Sequence, residues 1–192
     1  MKHSLRALDI IIATCALTAY APVFVVAAIL IKLEDGGPVF FHQVRLGRGR
    51  HPFWVLKLRT MRDGSVTRQG RWLRKAALDE FPQFIHVLRG ELSAVGPRPL
   101  TPEDVRRLGW QRNQHDERWQ IAPGVTGPTQ VFGAGATAEA SWLQDRDYFR
   151  VRTWKTDLRL SGLSVLINVI GKTRARELWV ASQGSEAGAA CG

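Results

Sequence analysis

Cysteine is scarce in this sequence of 192 residues, and its two cysteines do not suggest a disulfide framework. Cys15 lies in an apolar run and Cys191 lies in a Gly/Ala-rich tail. The sequence also lacks an internal repeat, a Cys/His cluster at metal-ligand spacing, and any helix-turn-helix, zinc-finger or RNA-binding signature. No motif therefore supports a zinc module, a repeat protein or nucleic acid as the partner.

Acidic residues are outnumbered, because 27 Lys and Arg stand against 17 Asp and Glu, and the formal net charge is +10. This excess implies an anionic partner, although charge alone does not choose between nucleic acid, anionic lipid and a diphosphate substrate. The length predicts one domain with a substantial core. We expect a membrane segment over residues 1–33, a globular part over 34–181 and a disordered tail over 182–192.

Charged residues are absent from positions 10–31, a run long enough to cross a hydrocarbon core of about 30 Å as a helix. A single spanning helix is the simplest interpretation, whereas a cleavable signal peptide is disfavoured by the length of the run. Pro22 would cost about 3 kcal/mol inside a helix. Basic residues also flank both ends of the run, so the positive-inside rule gives no orientation. We therefore predict a re-entrant helix that breaks at Ala21 and Pro22 and returns to the same membrane face.

The stretch 57–100 combines an adjacent carboxylate pair, Asp79 and Glu80, with many cations. Apolar residues at helical spacing accompany the pair, and the predicted helix ends at Gly90: Leu78, Phe81, Ile85 and Leu88. Acids at a helix N-terminus are most often caps. The surrounding arginines favour a second interpretation, because phosphoryl transfer needs a nucleophile, a metal ligand and cations that offset phosphate charge.

Two further basic side chains are placed by their local backbone. Arg98 stands between Pro97 and Pro99, which restrict the backbone and would present the guanidinium from a stiff turn. An ordinary proline-rich surface loop has the same composition. Lys57 alternates with apolar residues in a predicted strand, 53–58, that would form a hairpin with 38–44. The face that carries Lys57 and Arg59 is either wet or directed at a substrate.

Four linked motifs in this stretch carry a family resemblance: Gly70–Arg74, Leu78–Gln83, Val87–Gly90 and Ser93–Leu100. Together with Gly37–Phe41 before them and Pro123–Gly127 after them, they make the chain resemble the bacterial monotopic phosphoglycosyl transferases over roughly residues 6–160. The resemblance agrees with a mainly α fold with a small β-hairpin (α+β). It also implies a Pro-broken re-entrant membrane helix.

This resemblance implies transfer of a sugar 1-phosphate from a nucleotide-sugar donor, taken to be a UDP-sugar, to a polyprenol (undecaprenyl) phosphate acceptor. Such a transfer begins glycan or exopolysaccharide assembly. Asp79 would attack the β-phosphorus and form an aspartyl phosphosugar, with Mg²⁺ held by Glu80 and Asp79. Four basic residues would bind phosphate or substrate: Arg74, Arg98, Lys57 and Arg71.

The resemblance also places the protein among membrane phospholipids at the bacterial inner membrane, with its catalytic part on the cytoplasmic face, and leaves homodimerisation open. The loop 122–136 departs from the family pattern and so leaves the sugar open: Ala122, Pro128, Thr129, Phe132 and Ala134. A membrane-anchored basic module without catalytic activity, binding anionic lipid or nucleic acid, is the main alternative. An inactive relative of the family is another.

The remaining predictions concern single residues and the helices of the C-terminal half. We expect Asp9 to pair with Arg6, residues 62–70 to form a mobile loop, and residues 102–119 to be helical with His115 exposed. His86 is expected to be a packing or surface residue. Helices are predicted over 138–152 and 157–171, and the second has an apolar face that suits either the core or the membrane interface: Leu158, Leu163, Leu166, Ile167 and Ile170. Three tryptophans suit an interfacial belt: Trp142, Trp154 and Trp179.

Overall fold

The computed structural model describes residues 2–111, 113–133 and 137–170. Ala134, the side chain of Ile170, Trp179 and the tail over 182–192 lie outside the described residues. The α-helices are α1 (Lys2–Asp35), α2 (Arg68–Lys75), α3 (Phe84–Arg89), α4 (Pro102–Arg107), α5 (Pro128–Phe132), α6 (Ala138–Val151) and α7 (Trp154–Ile170). The strands are β1 (Phe40–Leu46), β2 (Pro52–Leu58), β3 (Met61–Arg62), β4 (Ser65–Val66), β5 (Ser93–Val95) and β6 (Gly124–Thr126). Short 3-10 helices span Arg48–Arg50, Phe81–Gln83 and Asn113–Gln120.

The predicted hairpin is confirmed as β1 and β2, which pair antiparallel from Phe40 opposite Leu58 to Leu46 opposite Pro52. Strand β1 begins and ends two residues later than predicted. Its last residue, Leu46, also donates its amide to Leu100 O at 2.8 Å, which ties the hairpin to the segment after Arg98. The fold is therefore α+β, with three two-stranded sheets among the described residues.

The predicted mobile loop over 62–70 is instead regular structure. Strands β3 and β4 form a small hairpin whose turn residues, Asp63 and Gly64, have φ of 49° and 78°. Two positive φ angles at Asp-Gly are typical of a type I′ hairpin turn, so this dipeptide carried the missed signal. Thr67 then caps α2 by accepting from the amide of Gly70.

Helix α1 packs along the globular part instead of standing away from it. Ala13, Ala27 and Ile31 are at most 3% exposed, whereas Ile11 and Val26 on the other face are more than half exposed. This helix contacts α2, α3, β5 and α7. Its assignment continues through Pro22, so re-entry stays a prediction.

The predicted ion pair between Asp9 and Arg6 is wrong, because both side chains bond the globular part. Asp9 is 8% exposed and accepts from the Ala94 amide at 2.8 Å and from the Ser93 hydroxyl at 2.9 Å. Arg6 donates to Val87 O at 2.6 Å and to the next carbonyl. The carbonyls at the end of α3 and the first residues of β5 therefore compete successfully with a local ion pair.

The segment after Glu80 forms a 3-10 turn followed by α3. Leu88, predicted to lie on the apolar face of this helix, is 40% exposed. His86 and Val87 are buried in its place. His86 Nε2 accepts from the Leu56 amide at 3.0 Å, and Nδ1 lies 2.6 Å from Glu91 Oε2. His86 is therefore a packed structural residue. Gly90 ends the helix as predicted, with φ of 84°.

The segment predicted to be helical over 102–119 contains α4 and a separate 3-10 helix, Asn113–Gln120, among its described residues. The prediction that His115 is exposed is wrong. His115 is 4% exposed and stacks on Trp110, with ring centroids 5.2 Å apart. Trp142 contacts His115 edge-on and is 6% exposed, so it belongs to this aromatic cluster and not to an interfacial belt. Charged residues around these aromatics gave the segment the composition of a surface helix.

Helices α6 and α7 agree with the predicted helices, but the core face of α7 differs from the predicted one. Leu160 and Leu163 are buried, with Leu166 and Ile167 packed partly against the same cluster. Leu158 is 50% exposed, and Trp154, at the start of the helix, is 48% exposed. Leu160 and Leu163 therefore pack in the core, whereas the apolar side chains of Trp154 and Leu158 are exposed.

Candidate active site

The end of α2 directs the chain into the carboxylate pair. Ala77 has φ of 53°, the left-handed conformation that follows many helix ends. The Leu78 amide bonds Leu73 O at 2.9 Å, and the two leucine side chains belong to one apolar cluster, as in a Schellman motif. The Leu58 amide then bonds Asp79 O at 2.8 Å. These contacts fix the backbone of Asp79 beside the end of β2.

Glu80 is engaged by a cation and does not cap the helix that follows it. It occupies the position before the 3-10 turn, and its side chain makes no capping hydrogen bond there. Glu80 Oε1 instead lies 2.6 Å from Lys57 Nζ. The capping interpretation therefore fails for Glu80, and the predicted proximity of Lys57 to the carboxylate pair is observed. Arg59 turns away, since its Nε donates to Pro38 O at 2.6 Å.

Asp79 lies in an environment that disfavours its charged form. Burial raises the pKa of its carboxyl group above the usual value, and the negative charge of Glu80 raises it further. Lys57 and Arg74 act in the opposite direction. Two neighbouring carboxylates, each near a cation, form a group whose charge responds strongly to a bound cation or phosphate.

Arg74 is held in place by the segment between β2 and β3. Its Nε donates to the Thr60 hydroxyl at 2.8 Å. Gly70 lets α2 approach this segment closely, since a Cβ there would lie 2.2 Å from Thr60 O. Arg71 is exposed on the same helix, and it is not among the described residues that line the cavity described below. Arg74 thus lies near enough to Asp79 to act on its charge, and the substrate role of Arg71 stays a prediction.

Arg98 projects from a turn between β5 and β6 that is built by close backbone contact. Strands β5 and β6 are parallel, and the Gly96 amide bonds Thr126 O at 2.9 Å. A Cβ at Gly124 would lie 2.0 Å from Gly96 N, so this position requires glycine. The Arg98 side chain is exposed, whereas the preceding residues are buried. A rigid backbone therefore carries an accessible guanidinium, as the sequence predicted.

Three of these residues, Arg74, Glu80 and Arg98, line a cavity of about 930 Å³, whereas Asp79 and Lys57 are not among its lining residues. Its charged lining residues are these three and Lys75. Many of its other lining side chains are apolar and come from α1, α3 and α7, among them Ile12, Tyr20, Phe84, Val165 and Ile167. Thr129 and Gln130, from the loop that departs from the family pattern, also line the wall. The cavity thus combines cationic side chains with an apolar wall formed partly by α1.

The middle of α1 reaches the residue that follows Glu80. Tyr20 contacts Phe81 with ring centroids 4.0 Å apart. Ala21 and Pro22, the predicted break in the membrane helix, come next along the chain and are exposed. The residue before the predicted break therefore contacts the residue after Glu80, which sequence patterns did not reveal because Tyr20 and Phe81 are far apart in the chain.

The donor set suits a magnesium ion that completes its coordination with substrate oxygens. Among the described residues, no group of three or more His, Cys, Asp and Glu could enclose a metal. Mg²⁺ commonly uses one or two carboxylates together with substrate phosphates and water. Asp79 and Glu80 supply such a pair, and their mutual repulsion, which raises the pKa of Asp79, would be relieved by a cation. The residues present therefore fit Mg²⁺ when a diphosphate is bound.

A search of known families finds that the bacterial sugar transferase family matches residues 2–171. The UDP-glucose:undecaprenyl-phosphate glucose-1-phosphate transferase of Caulobacter vibrioides is 39% identical over 167 residues, which cover 78% of this chain and 62% of that protein. The UDP-N-acetylgalactosamine-undecaprenyl-phosphate N-acetylgalactosaminephosphotransferase of Aeromonas hydrophila is 34% identical over 165 residues, 78% of this chain and 39% of that protein.

A shorter relative matches over most of its own length. The uncharacterized sugar transferase EpsL of Bacillus subtilis is 34% identical over 176 residues, which cover 83% of this chain and 84% of EpsL. The chain thus spans less than two thirds of the two longer relatives and most of the shorter one. The match to the family extends from α1 through α7 and includes every residue of the candidate site. This chain belongs to the bacterial sugar transferase family.

Proposed function

We propose that this protein transfers a sugar 1-phosphate from a UDP-sugar to undecaprenyl phosphate through a covalent intermediate on Asp79. The observation that carries the proposal is the cavity that Glu80, the neighbour of Asp79, lines together with Arg74 and Arg98 on one hand and with apolar side chains on the other. A nucleotide diphosphosugar needs the first feature, and a polyprenol chain needs the second. Relatives whose names specify UDP-glucose or UDP-N-acetylgalactosamine as the donor support the substrate class and leave the sugar open.

In the first step, an Asp79 carboxylate oxygen attacks the β-phosphorus of the donor. A phosphorus–oxygen bond forms, the bond from the β-phosphorus to the bridging oxygen breaks, and UMP leaves. In the second step, an oxygen of the lipid phosphate attacks the same phosphorus and frees the Asp79 carboxylate. The product is a polyprenol diphosphosugar. Both steps place negative oxygen next to negative oxygen, so neighbouring cations must offset the repulsion.

Each cationic side chain has a distinct part in this scheme. Arg74, fixed by Thr60, and Arg98, fixed by its turn, bind oxygens of the transferred phosphoryl group, since a guanidinium can hold two oxygens at once. Lys57 holds Glu80 in place through their 2.6 Å contact. Glu80 and Asp79 would hold Mg²⁺, which when bound polarises the phosphoryl oxygens and offsets their charge.

We further propose that α1 re-enters the membrane and leaves the catalytic part on the cytoplasmic face of the bacterial inner membrane. The described residues contain one helix long and apolar enough to cross a membrane, over Ser4–Glu34. Both of its ends bond the same globular part, because Arg6 donates to Val87 O while Glu34 accepts from the Arg68 amide at 2.7 Å. A straight spanning helix would carry these two contacts to opposite membrane faces.

Release of UMP by detergent-solubilised protein tests the transfer. We expect stoichiometric UMP release from one of a panel of UDP-sugars with Mg²⁺ alone, and continued release once undecaprenyl phosphate is added, as a covalent two-step scheme requires. The first phase should also increase the protein mass by that of the sugar phosphate. Asp79→Asn should abolish both signals, whereas Asp63→Asn, at a carboxylate that is 91% exposed, should retain them.

Two outcomes would overturn the assignment. Folded protein that releases no UMP from any donor would favour a non-catalytic module that binds anionic lipid. Full activity of Asp79→Asn would refute the covalent role.

The topology of α1 is tested separately, by labelling single cysteines at positions 4 and 33 in cells, with Cys15 and Cys191 replaced by serine. Re-entry predicts equal accessibility from the cytoplasm, and labelling from opposite faces would refute it.

A further inference from the structure

The turn that carries Arg98 is tethered at four consecutive carbonyl groups, from residue 97 to residue 100. Two tethers come from the backbone. The Gly124 amide donates to Pro97 O at 2.9 Å, and the Leu46 amide donates to Leu100 O at 2.8 Å. These two bonds join the ends of the turn to β6 and β1. They leave the two central carbonyls, those of Arg98 and Pro99, to find other partners.

Both central carbonyls accept from arginine side chains. Arg118 Nη2 donates to Arg98 O at 2.5 Å, and Arg45 Nη1 donates to Pro99 O at 2.9 Å. Arg45 is itself held by Gln43 Oε1, at 2.7 Å from its Nη2. Two guanidinium groups therefore hold the two peptide units that follow the Arg98 Cα.

Arg118 is built into the core so that it has one orientation. Its side chain is 3% exposed, and its Nε lies 3.3 Å from Asp145 Oδ2, whose side chain is 1% exposed. The guanidinium carbon lies 5.3 Å from the ring centroid of Trp110 and 5.4 Å from that of Trp119. A buried charge needs such partners, because desolvation is costly. The arrangement directs its Nη2 at the Arg98 carbonyl.

We propose that Arg118 is a positioning residue, which fixes the turn so that the Arg98 guanidinium meets the transferred phosphoryl group, with Arg45 as a second tether. This inference rests on the proposed function for what Arg98 binds. The physical reason is geometric: a bidentate guanidinium contact contributes fully only when its stem is held, and a misplacement of about 1 Å can cost on the order of 100-fold in rate. Arg118 thus acts on the reaction through Arg98.

A double-mutant cycle with Arg98→Ala tests this coupling. Arg118→Lys keeps a positive charge beside Asp145 but lacks the fork that reaches both Asp145 and the carbonyl. We expect Arg118→Lys to lower kcat/KM for the UDP-sugar by about 10-fold to 100-fold. In the Arg98→Ala background, the same change should lower it less than about twofold. A purely structural role for Arg118 would give equal losses in both backgrounds and would overturn the inference.

Amide hydrogen exchange of the peptide over residues 95–101 gives a readout that does not depend on activity. Exchange should accelerate in Arg118→Lys and also in Arg45→Lys, which loosens the second tether without disturbing the buried pair. Arg50→Lys is the matched control. The Arg50 guanidinium carbon lies 5.4 Å from the ring centroid of Trp119, which Arg118 also contacts. Arg50 donates to Gln111 O and Asp116, however, and not to the turn. Arg50→Lys should leave exchange and kcat/KM unchanged.

The outcomes separate the two hypotheses. Equal kcat/KM for the parent and Arg98→Ala would contradict the proposed role of Arg98 in the transfer. Unchanged exchange over residues 95–101 in both lysine variants would overturn the tethering itself, whatever the activity. A loss of kcat/KM in Arg98→Ala without any loss in Arg118→Lys or Arg45→Lys would leave the proposed function standing and refute the positioning role.

Discussion

The packing of α1 against the globular part can be tested at Ala27. This residue is 2% exposed and lies in a cluster with Ile31, Leu58 and Leu73. Leucine at position 27 replaces a methyl group by an isobutyl group where no free surface remains. Overpacking of this kind costs about 1 to 3 kcal/mol. For a chain of this size each kcal/mol lowers Tm by roughly 2–4 °C, so we expect a decrease of about 2 to 12 °C.

The neighbouring residue supplies the control for this substitution. Val26 is 54% exposed, so detergent or lipid can adapt to a larger side chain there. Val26→Leu should therefore change the free energy of unfolding by less than about 0.5 kcal/mol. Thermal unfolding in detergent, followed by circular dichroism, compares both variants with the parent. Equal Tm values for Ala27→Leu and the parent would mean that α1 does not pack along this cluster.

Three further predictions follow from single residues of the site and its surroundings. Ala77→Gly should raise stability by roughly 0.5–1 kcal/mol, because glycine adopts the left-handed φ of 53° without strain; a lower Tm would contradict this. Without divalent cations, Asp79→Asn should be at least as stable as the parent near pH 7, because a carboxyl group with a raised folded-state pKa destabilises the fold once ionised; added Mg²⁺ should then raise the Tm of the parent more than that of the variant. Burial raises the pKa of Asp145 to about 6. The folded state therefore retains a proton that the unfolded chain loses near pH 4, and the free energy of unfolding falls as pH rises from about 4 to about 6. In denaturant titrations at a series of pH values, Asp145→Asn should lose this decrease. An unchanged decrease would refute the raised pKa of Asp145.

Local patterns predicted the elements of this fold well when a few adjacent residues determine them. Alternation of apolar residues located the β1–β2 hairpin, and Gly90 correctly marked the end of α3. Motif composition also selected Lys57, Glu80 and Arg98, which the structure places around one small cavity. Their assigned chemical roles stay predictions.

Patterns failed where distant segments decide the environment of a side chain. Asp9 has a suitable partner one turn away in Arg6, yet β5 offers it an amide and a hydroxyl in a buried setting. His115 lies among charged residues in sequence, yet Trp110 and Trp142 enclose it in space. Arg118 also lies among charged residues in the sequence, which is typical of a surface arginine, although it is 3% exposed. Long-range partners of this kind leave no periodic signal in the sequence.

The balance of charge at the site provides the physical reason for assigning a divalent cation to the reaction. Four cations, Lys57, Arg74, Lys75 and Arg98, stand against the two carboxylates Asp79 and Glu80, so the protein alone supplies a net charge of about two positive units. Arg45 also lines the small cavity, but Asp104 offsets its charge at 3.4 Å. A diphosphosugar brings about two negative charges, and the attacking carboxylate adds to the repulsion in the transition state. Lys57 is already committed to Glu80 at 2.6 Å, which reduces what it can offer the phosphate. A bound Mg²⁺ would make the occupied site net positive, and this is why removal of Mg²⁺ should suppress UMP release even when every arginine remains in place.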